Sequence, residues 1–365
     1  MKKVLFLANH DVGIYNFRKE LVERLIKEGY KVYLSCPNGE RIKDLTSMGC
    51  RYADVKLERH GMNPLNELRL FLYYKRIMRK IRPDVVLTYT VKPNVYGGMA
   101  AAALHIPQIA NVTGLGSAIE SGGVLKKITL FLYKIGLRKA ESVFFQNKEN
   151  MKFMKKNRVV TGKLSLLPGS GVNLEQHCFE EYPEETEKLT FLSVGRIMKD
   201  KGIDELLEAA EEVKKEFPDV RFRLIGFFDE DYESKIKAAA SSGLVEYLGE
   251  QDDVHSFVKQ SHAIVHASYH EGMSNVLLES AASGRPVIAT NIPGCIETFE
   301  PGVSGIACNV RDGKDLAKAI KAFIQMPYEG KVKMGEAGRR RMEQLFDRQI
   351  VVDKYMKEVK RITEE

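Results

Sequence analysis

The chain has 365 residues, 44% of them hydrophobic and 29% charged, with a formal net charge of +7. That length fits one large domain or two ordinary ones, and that apolar content excludes global disorder. Five scattered cysteines (Cys36, Cys50, Cys178, Cys295 and Cys308) with no CxxC pair exclude a disulfide scaffold, and no zinc cluster follows from their spacing.

The apolar run 4–8 is too short for a signal sequence and ends in polar residues, so it is expected to be a first strand. Further strand-like runs stand at 31–35, 51–55, 84–89, 108–111, 142–146 and 165–167. Helical patterns alternate with them near 15–28, 64–80, 94–104, 123–138 and 147–156. In 15–28, Phe17, Leu21, Leu25 and Ile26 recur with a 3.6-residue period, and Gly29 stands just past the end, where positive φ is cheap. Continuous apolar strands alternating with helices predict a parallel sheet covered on both faces.

Two helical segments are basic as well as amphipathic. In 68–82, Leu70, Phe71, Leu72, Tyr73, Tyr74 and Ile77 stand beside Lys75, Arg76, Arg79, Lys80 and Arg82. In 124–139, Leu125, Ile128, Phe131, Leu132 and Ile135 stand beside Lys126, Lys127, Lys134, Arg138 and Lys139. Taken singly, each reads as a sheet-covering helix with its lysines in water. Residues 1–175, however, carry 30 Lys and Arg against 14 Asp and Glu, a net +16, whereas 176–365 carry 26 against 35, a net −9. Two such helices on the positive half point to an anionic membrane surface as a partner. No nucleic-acid motif accompanies that charge.

Gly169, Ser170 and Gly171, followed by the acidic, proline-containing stretch 180–188, break the alternation and mark a domain junction. Strands then resume at 190–194, 221–225, 245–248, 263–266, 286–289 and 305–308. Helices resume near 202–216, 232–241, 253–260, 274–283, 314–325, 331–343 and 347–361. The expected fold is α/β, with two Rossmann-like doubly wound domains facing across a cleft. Residues 1–170 would form the first domain and 171–345 the second, with a helix in 346–365 packing back on the first. Hinge closure is a motion known for such pairs. No apolar stretch reaches membrane-spanning length, so the expected location is the cytoplasm or, peripherally, the inner face of the cell membrane.

An anionic ligand is held by backbone N–H groups, a helix N-terminus or cations. Strand 190–194 runs into Gly195-Arg196, and Lys201-Gly202 follows at the start of the next helix. Strand 263–266 runs into His270-Glu271-Gly272-Met273-Ser274-Asn275-Val276, with Glu279 further along a helix. Gly272 would allow close phosphate approach, and Ser274 is a helix N-cap candidate. The free N–H groups of Asn275, Val276 and Leu277 would then face an anion. Asp229-Glu230-Asp231 has the Asp-x-Asp spacing that can hold a divalent cation, but reads as a water-facing acidic run, and no metal ligand is assigned.

Together, Val194-Gly195-Arg196, Lys201-Gly202, the Glu271/Glu279 spacing and Gly284-Arg285-Pro286-Val287-Ile288-Ala289-Thr290 resemble retaining glycosyltransferase family 4, with the GT-B fold. The resemblance runs from residue 1 to about 345. It implies that Arg196 and Lys201 hold the donor diphosphate, that Glu279 binds the ribose and that Glu271 lies beside the transferred sugar. It also implies that cationic side chains replace a metal, so that no cofactor is required. His10 to Arg18 and Asn111 to Gly116 look like the branch acting on polyprenyl-diphosphate-linked glycans or capsular polysaccharide, whose donors are often UDP-hexose or UDP-HexNAc. The chain departs from many relatives in keeping only Gly13 in its first strand–helix loop and in carrying Thr113 where they have histidine. His10 either caps its loop or approaches the cleft.

The implied function is a retaining glycosyltransferase in surface polysaccharide synthesis. It would pass a hexose or N-acetylhexosamine from a UDP-sugar to a polyprenyl-diphosphate-linked or oligosaccharide acceptor. The alternatives are a nucleotide-sugar epimerase and a non-catalytic, membrane-associated polysaccharide-assembly subunit.

Overall fold

The computed structural model describes residues 1–56, 63–115, 123–184 and 188–364. Gly116 of the 111–116 motif and residues 185–187 of the junction lie outside them. The chain divides into two compact units, Met1–Ser170 with Arg348–Glu365, and Gly171–Asp347.

The first unit is a seven-stranded, all-parallel sheet. Its strands are β1 (Lys3–Leu7), β2 (Lys31–Cys36), β3 (Arg51–Asp54), β4 (Val85–Tyr89), β5 (Gln108–Val112), β6 (Ser142–Phe145) and β7 (Lys163–Leu166). They lie in the order β3-β2-β1-β4-β5-β6-β7. Val4, Leu5, Phe6 and Leu7 are all fully buried, which is why β1 shows no apolar–polar alternation: both faces are covered. The covering helices are α1 (Asp11–Lys27), α2 (Ile42–Ser47), α3 (Pro64–Ile81), α4 (Gly98–Leu104), α5 (Gly123–Leu137) and α6 (Lys148–Lys156). Asn63 starts α3 by accepting the Leu65 N–H at 3.0 Å, with Pro64 in the first turn. A π-helical turn, Pro93–Gly97, leads into α4. There a Cβ on Gly98 would stand 2.1 Å from the Gly136 carbonyl, so α4 and α5 touch through glycine.

The second unit has β8 (Thr190–Val194), β9 (Arg221–Ile225), β10 (Glu246–Tyr247), β11 (Ala263–His266), β12 (Val287–Thr290) and β13 (Gly305–Cys308). Their order is β10-β9-β8-β11-β12-β13, again all parallel. Its helices are α7 (Ile203–Lys214), α8 (Glu233–Ser241), α9 (Val254–Lys259), α10 (Asn275–Ala282), α11 (Gly313–Gln325) and α12 (Tyr328–Arg341). In both sheets the chain starts mid-sheet, winds outward, then returns beside its first strand and winds the other way. That reversal falls between β1 and β4 and between β8 and β11. It leaves a crevice at the carboxyl ends of those strands, the usual ligand position of doubly wound sheets. The α/β doubly wound character expected from the alternation is therefore present in each unit.

The last helix, α13 (Arg348–Glu364), belongs to the first unit. Buried Arg348 donates to Asn16 O at 2.9 Å and to Glu20 at 3.0 Å on α1, and Tyr355 OH accepts from Asn111 Nδ2 at 2.8 Å. Glu358, also buried, meets Lys163 at 2.8 Å, Arg361 at 2.6 Å and the Ser142 hydroxyl. Burial alone would raise its carboxyl pKa, but these donors outweigh it and hold it at about 2. A carboxylate whose folded-state pKa lies below its unfolded value stabilises the fold above the unfolded pKa and loses that contribution as pH falls through the folded one. We therefore expect about 3 kcal/mol from this group to fade between roughly pH 5 and pH 2. Urea midpoints measured across that window should fall less steeply for Glu358→Gln than for the parent chain. Parallel curves would contradict the assignment.

Candidate active site

The second sheet's reversal brings together two loops that are far apart in sequence. After β8, Gly195 has φ +153° and Gly226, after β9, has φ +148°. A Cβ on Gly226 would lie 1.8 Å from the Gly195 carbonyl, so glycine lets these strand ends close up. Ile197 N donates to Phe227 O at 2.8 Å, and Asp229 N to Ile197 O at 3.2 Å, zipping the two loops. Asp229 then meets Arg196 at 2.5 Å, and Glu230 accepts the Lys199 N–H at 2.8 Å. Asp229 and Glu230 stay exposed, as expected of the acidic run, and also grip the basic turn.

Lys199–Lys201 form a 3₁₀ turn ended by Gly202 at φ +68°. A Cβ on Gly202 would stand 2.1 Å from Ala267 O, so only glycine fits both the backbone and the space. Asp200 O accepts from Tyr269 N at 2.8 Å. This docking seats the turn on the loop after β11 and aims Lys201 at it.

Lys201 Nζ lies 2.5 Å from Glu271 Oε1, and His266 Nε2, at the end of β11, lies 3.0 Å from the same oxygen. The Lys201 and Glu271 side chains keep only 20% and 15% of their surface. Burial pushes the Glu271 carboxyl upward, but the Lys201 charge and the His266 contact outweigh it and hold it well below the usual carboxylate range. His266 also contacts Ser274 Oγ at 3.2 Å. Gly294 (φ +85°) supports the loop from beneath: a Cβ there would meet Glu271 O at 2.6 Å, and Ser274 N donates to Gly294 O at 2.8 Å.

Ser274 caps α10, accepting the Leu277 N–H at 3.4 Å. Met273 is buried and packs with Leu278, Ala281 and Met342, so only its backbone remains to meet a ligand. Asn275 Oδ1 is buried with no hydrogen-bond partner among the described residues, a state that costs about 1–3 kcal/mol unless a ligand or water satisfies it. Glu279 lies on α10 with its carboxylate 3.9 Å from His177 Nε2. The structure thus gathers Gly195, Arg196, Lys201, Glu271, Gly272, Met273, Ser274, Asn275, Val276 and Glu279 into one unit. Gly13 belongs to the other unit, where His10 Nδ1 caps α1 by accepting the Gly13 N–H at 2.8 Å.

Sequence reasoning noted His266 only as a strand end, and it did not single out His177. The available signal for His266 was its place as the last residue of an apolar strand, at the edge where ligands sit. Chemically the site offers a basic turn, a salt-bridged carboxylate and a helix N-terminus, which together suit an anionic ligand with a polar tail.

Comparison with known proteins agrees with this chemistry. A family profile described as "Glycosyl transferases group 1" matches residues 176–341, and one described as "Glycosyl transferase 4-like" matches residues 3–147. The chain is 26% identical over 373 residues, covering 97% of each chain, to an N,N'-diacetylbacillosaminyl-diphospho-undecaprenol alpha-1,3-N-acetylgalactosaminyltransferase of Campylobacter jejuni. It is 25% identical to the capsular polysaccharide biosynthesis glycosyltransferase CapM of Staphylococcus aureus, over 90% of each. Among solved structures, Anabaena HepE in complex with UDP and glucose superposes with TM-score 0.78 at 16% identity, covering 98% of this chain and 99% of that one. A Thermosynechococcus elongatus sucrose-phosphate synthase superposes with TM-score 0.81 at 18% identity, covering 99% of each. At those identities the likeness is one of fold.

If Lys201 and Glu271 are energetically coupled, their effects on stability should not add. A double-mutant cycle with Lys201→Met and Glu271→Gln, read by urea unfolding, should give a coupling energy of about 1–3 kcal/mol. Additive losses would place the two charges in independent environments.

Proposed function

We propose that this chain, which belongs to glycosyltransferase family 4 and is a glycosyltransferase of the GT-B fold, moves a hexose or N-acetylhexosamine from a UDP-sugar to a lipid-diphosphate-linked saccharide with retention of configuration. The observation that carries this reading is the convergence of Lys201, Arg196, Glu271 and the start of α10 at the reversal point of the second sheet. A UDP-bound neighbour of the same fold supports the donor class, and a relative named for an undecaprenyl-diphosphate acceptor supports the acceptor class.

The lysine ammonium has three N–H donors, so Lys201 can stay on Glu271 and still donate to a phosphate oxygen. Arg196 would exchange Asp229 for the other phosphate, and the first N–H groups of α10 would complete the cradle. Glu279 would accept from ribose hydroxyls, and Glu271 would lie beside the sugar. In the transfer step the bond from C1 to the diphosphate oxygen breaks and the bond from C1 to the acceptor oxygen forms on the same face. The acceptor's proton passes to the departing diphosphate, whose charge Lys201 and Arg196 stabilise. Cationic side chains carry that charge, so the step is assigned no metal. In this reading the second unit holds the donor, and the first binds the acceptor.

The first unit also supports a membrane-surface role. Leu65, Leu68 and Leu72 are exposed on α3, as are Val124, Ile128, Phe131 and Ile135 on α5, with Arg69 and Arg76 or Lys127 and Lys134 close by in the sequence. A helix presenting apolar and basic residues together suits an anionic lipid interface. No helix among the described residues is long and apolar enough to cross a membrane.

With a UDP-sugar and a lipid-diphosphate-linked saccharide, in the presence of a chelator, the parent chain should release UDP and form a product of unchanged anomeric configuration by NMR. Lys201→Ala should remain folded and lose about 100-fold or more in kcat/KM. Near-normal turnover of that variant would remove Lys201 from the site, and activity restored only by Mg²⁺ or Mn²⁺ would overturn the metal-free step. Separately, sedimentation with phosphatidylglycerol vesicles should exceed that with phosphatidylcholine vesicles. The change Phe131→Glu with Lys134→Glu should weaken it roughly tenfold. Equal binding to both lipids would argue against the membrane reading.

A further inference from the structure

Apart from Lys201 and Glu271, the second unit gathers a thiol, an imidazole and a carboxylate at one point. Cys178 Sγ lies 3.5 Å from Glu180 Oε1 and 3.9 Å from His255 Nε2, and those two atoms are 3.1 Å apart. We propose that Cys178, Glu180 and His255 form a binding site for one zinc-class divalent cation, with solvent completing the coordination.

The dimensions suit that ion. Zinc bonds of 2.0–2.3 Å at tetrahedral angles set neighbouring ligand atoms roughly 3.3–3.6 Å apart. The three observed edges scatter about that value, so a cation can enter with shifts of a few tenths of an ångström. The donor set is one sulfur, one nitrogen and one oxygen. Magnesium prefers an octahedral shell of oxygen and is a poor match, whereas zinc accepts all three types. A thiolate and a carboxylate would balance the two positive charges.

The ligands stand on a braced frame. Arg285 is fully buried and spends its guanidinium on backbone carbonyls of both ligand-bearing segments. It donates to Glu180 O at 2.9 Å and Glu181 O at 2.8 Å, and to Val258 O at 3.2 Å and Lys259 O at 2.8 Å at the end of α9, the helix that carries His255. Glu180 N adds a bond to Ser283 O at 3.3 Å. The segment before β8 and the helix after β10 are thus fastened to one cation, which fixes the spacing of their side chains.

Outer partners are in place as well. Lys259 holds Glu180 Oε2 at 2.9 Å and leaves Oε1 toward the thiol and imidazole. Ser283 Oγ lies 3.5 Å from His255 Nδ1, where it can accept the second ring N–H of a ligating histidine. Cys178 is exposed and the His255 side chain keeps a quarter of its surface, so solvent ions can reach both. Cysteine spacing could not signal this site, because only one ligand is a cysteine and His255 lies 75 and 77 residues from Glu180 and Cys178.

The test is metal binding to the purified full-length chain, read with Zn²⁺ and Co²⁺ alone. One equivalent of Zn²⁺ should bind in competition with a chromophoric chelator, and Co²⁺ should give a thiolate-to-cobalt charge-transfer band. Cys178→Ser should abolish that band, and both Cys178→Ser and His255→Gln should weaken Zn²⁺ binding at least about tenfold. Asp231→Asn, in the exposed acidic run, should change neither. Thermal unfolding of the metal-free variants separates lost ligands from lost structure, and should one variant not fold, the other is decisive. Unchanged affinity in the folded variants, loss of binding in Asp231→Asn, or displacement of zinc by equimolar Mg²⁺ would each overturn the proposal.

Discussion

The site depends on keeping one carboxylate ionised in a place with little water. Glu271 sits where the second sheet reverses direction, and a lone buried charge there would cost several kcal/mol. Lys201 answers that cost, but only if its turn comes close to the loop after β11. Closeness in turn requires Gly202, since a Cβ would strike the Ala267 carbonyl, and requires the Asp200 carbonyl to receive Tyr269 N–H. His266 takes the same oxygen and links it to Ser274, the cap of α10. A glycine in the turn, a lysine before it, a histidine ending β11 and a serine opening a helix are therefore consequences of one electrostatic requirement.

Arg285 is another buried charge of this unit, and its role is structural. Among the described residues it pairs with no carboxylate and instead donates to carbonyl oxygens, and burial lowers its pKa from the ordinary arginine value to about 10. Next to it, Gly284 at φ +74° leaves room for the ring of Phe179. The Gly-Arg-Pro run that contributed to the family resemblance thus anchors the chain entering the second unit. An arginine in a motif need not touch a ligand. Whether it does depends on whether its donors are already taken, which sequence does not reveal.

The fold class was legible because strand burial leaves a direct trace. Runs such as 4–8 and 263–266 are apolar without alternation, and amphipathic helices of three or more turns stand between them. Shorter helices were uneven: α9 (Val254–Lys259) was legible at 253–260, whereas others left little trace. Helix α2 has six residues and buries only Ile42 and Leu45, too few to establish a period. The π-helical turn at Pro93–Gly97 reads locally as part of an ordinary helix. For the candidate site, the residue types and their strand-end positions were legible, as was the Ser274 cap. The partnerships were not. Arg196 with Asp229 and Lys201 with Glu271 are separated by 33 and 70 residues, and which loops meet is decided by strand order. Asp229 is exposed, as its acidic run suggested, but its pairing with Arg196 left no trace, and His266 read as only the last residue of a strand.

Charge at the level of whole units gives a poor guide to ligands. The unit of residues 1–170 and 348–365 holds 35 Lys and Arg against 17 Asp and Glu, a net +18, whereas residues 171–347 hold 21 against 32, a net −11. In the proposed function the negative unit nevertheless takes the anionic donor. The resolution lies in distance. Screening at physiological salt removes most interactions beyond about 8 Å, so the diphosphate responds to Lys201, Arg196 and the first turn of α10 rather than to remote glutamates. The nearby acids are themselves engaged: Asp229 on Arg196, Glu230 on a backbone N–H, and Glu271 on Lys201 and His266. Lipid surfaces act differently, because many weak contacts over a broad face add together. A net +18 with exposed leucines and a phenylalanine on α3 and α5 suits that task. A small, dense anion is bound by local geometry and an extended one by average charge, and the proposed function divides those two tasks between the two units in that way.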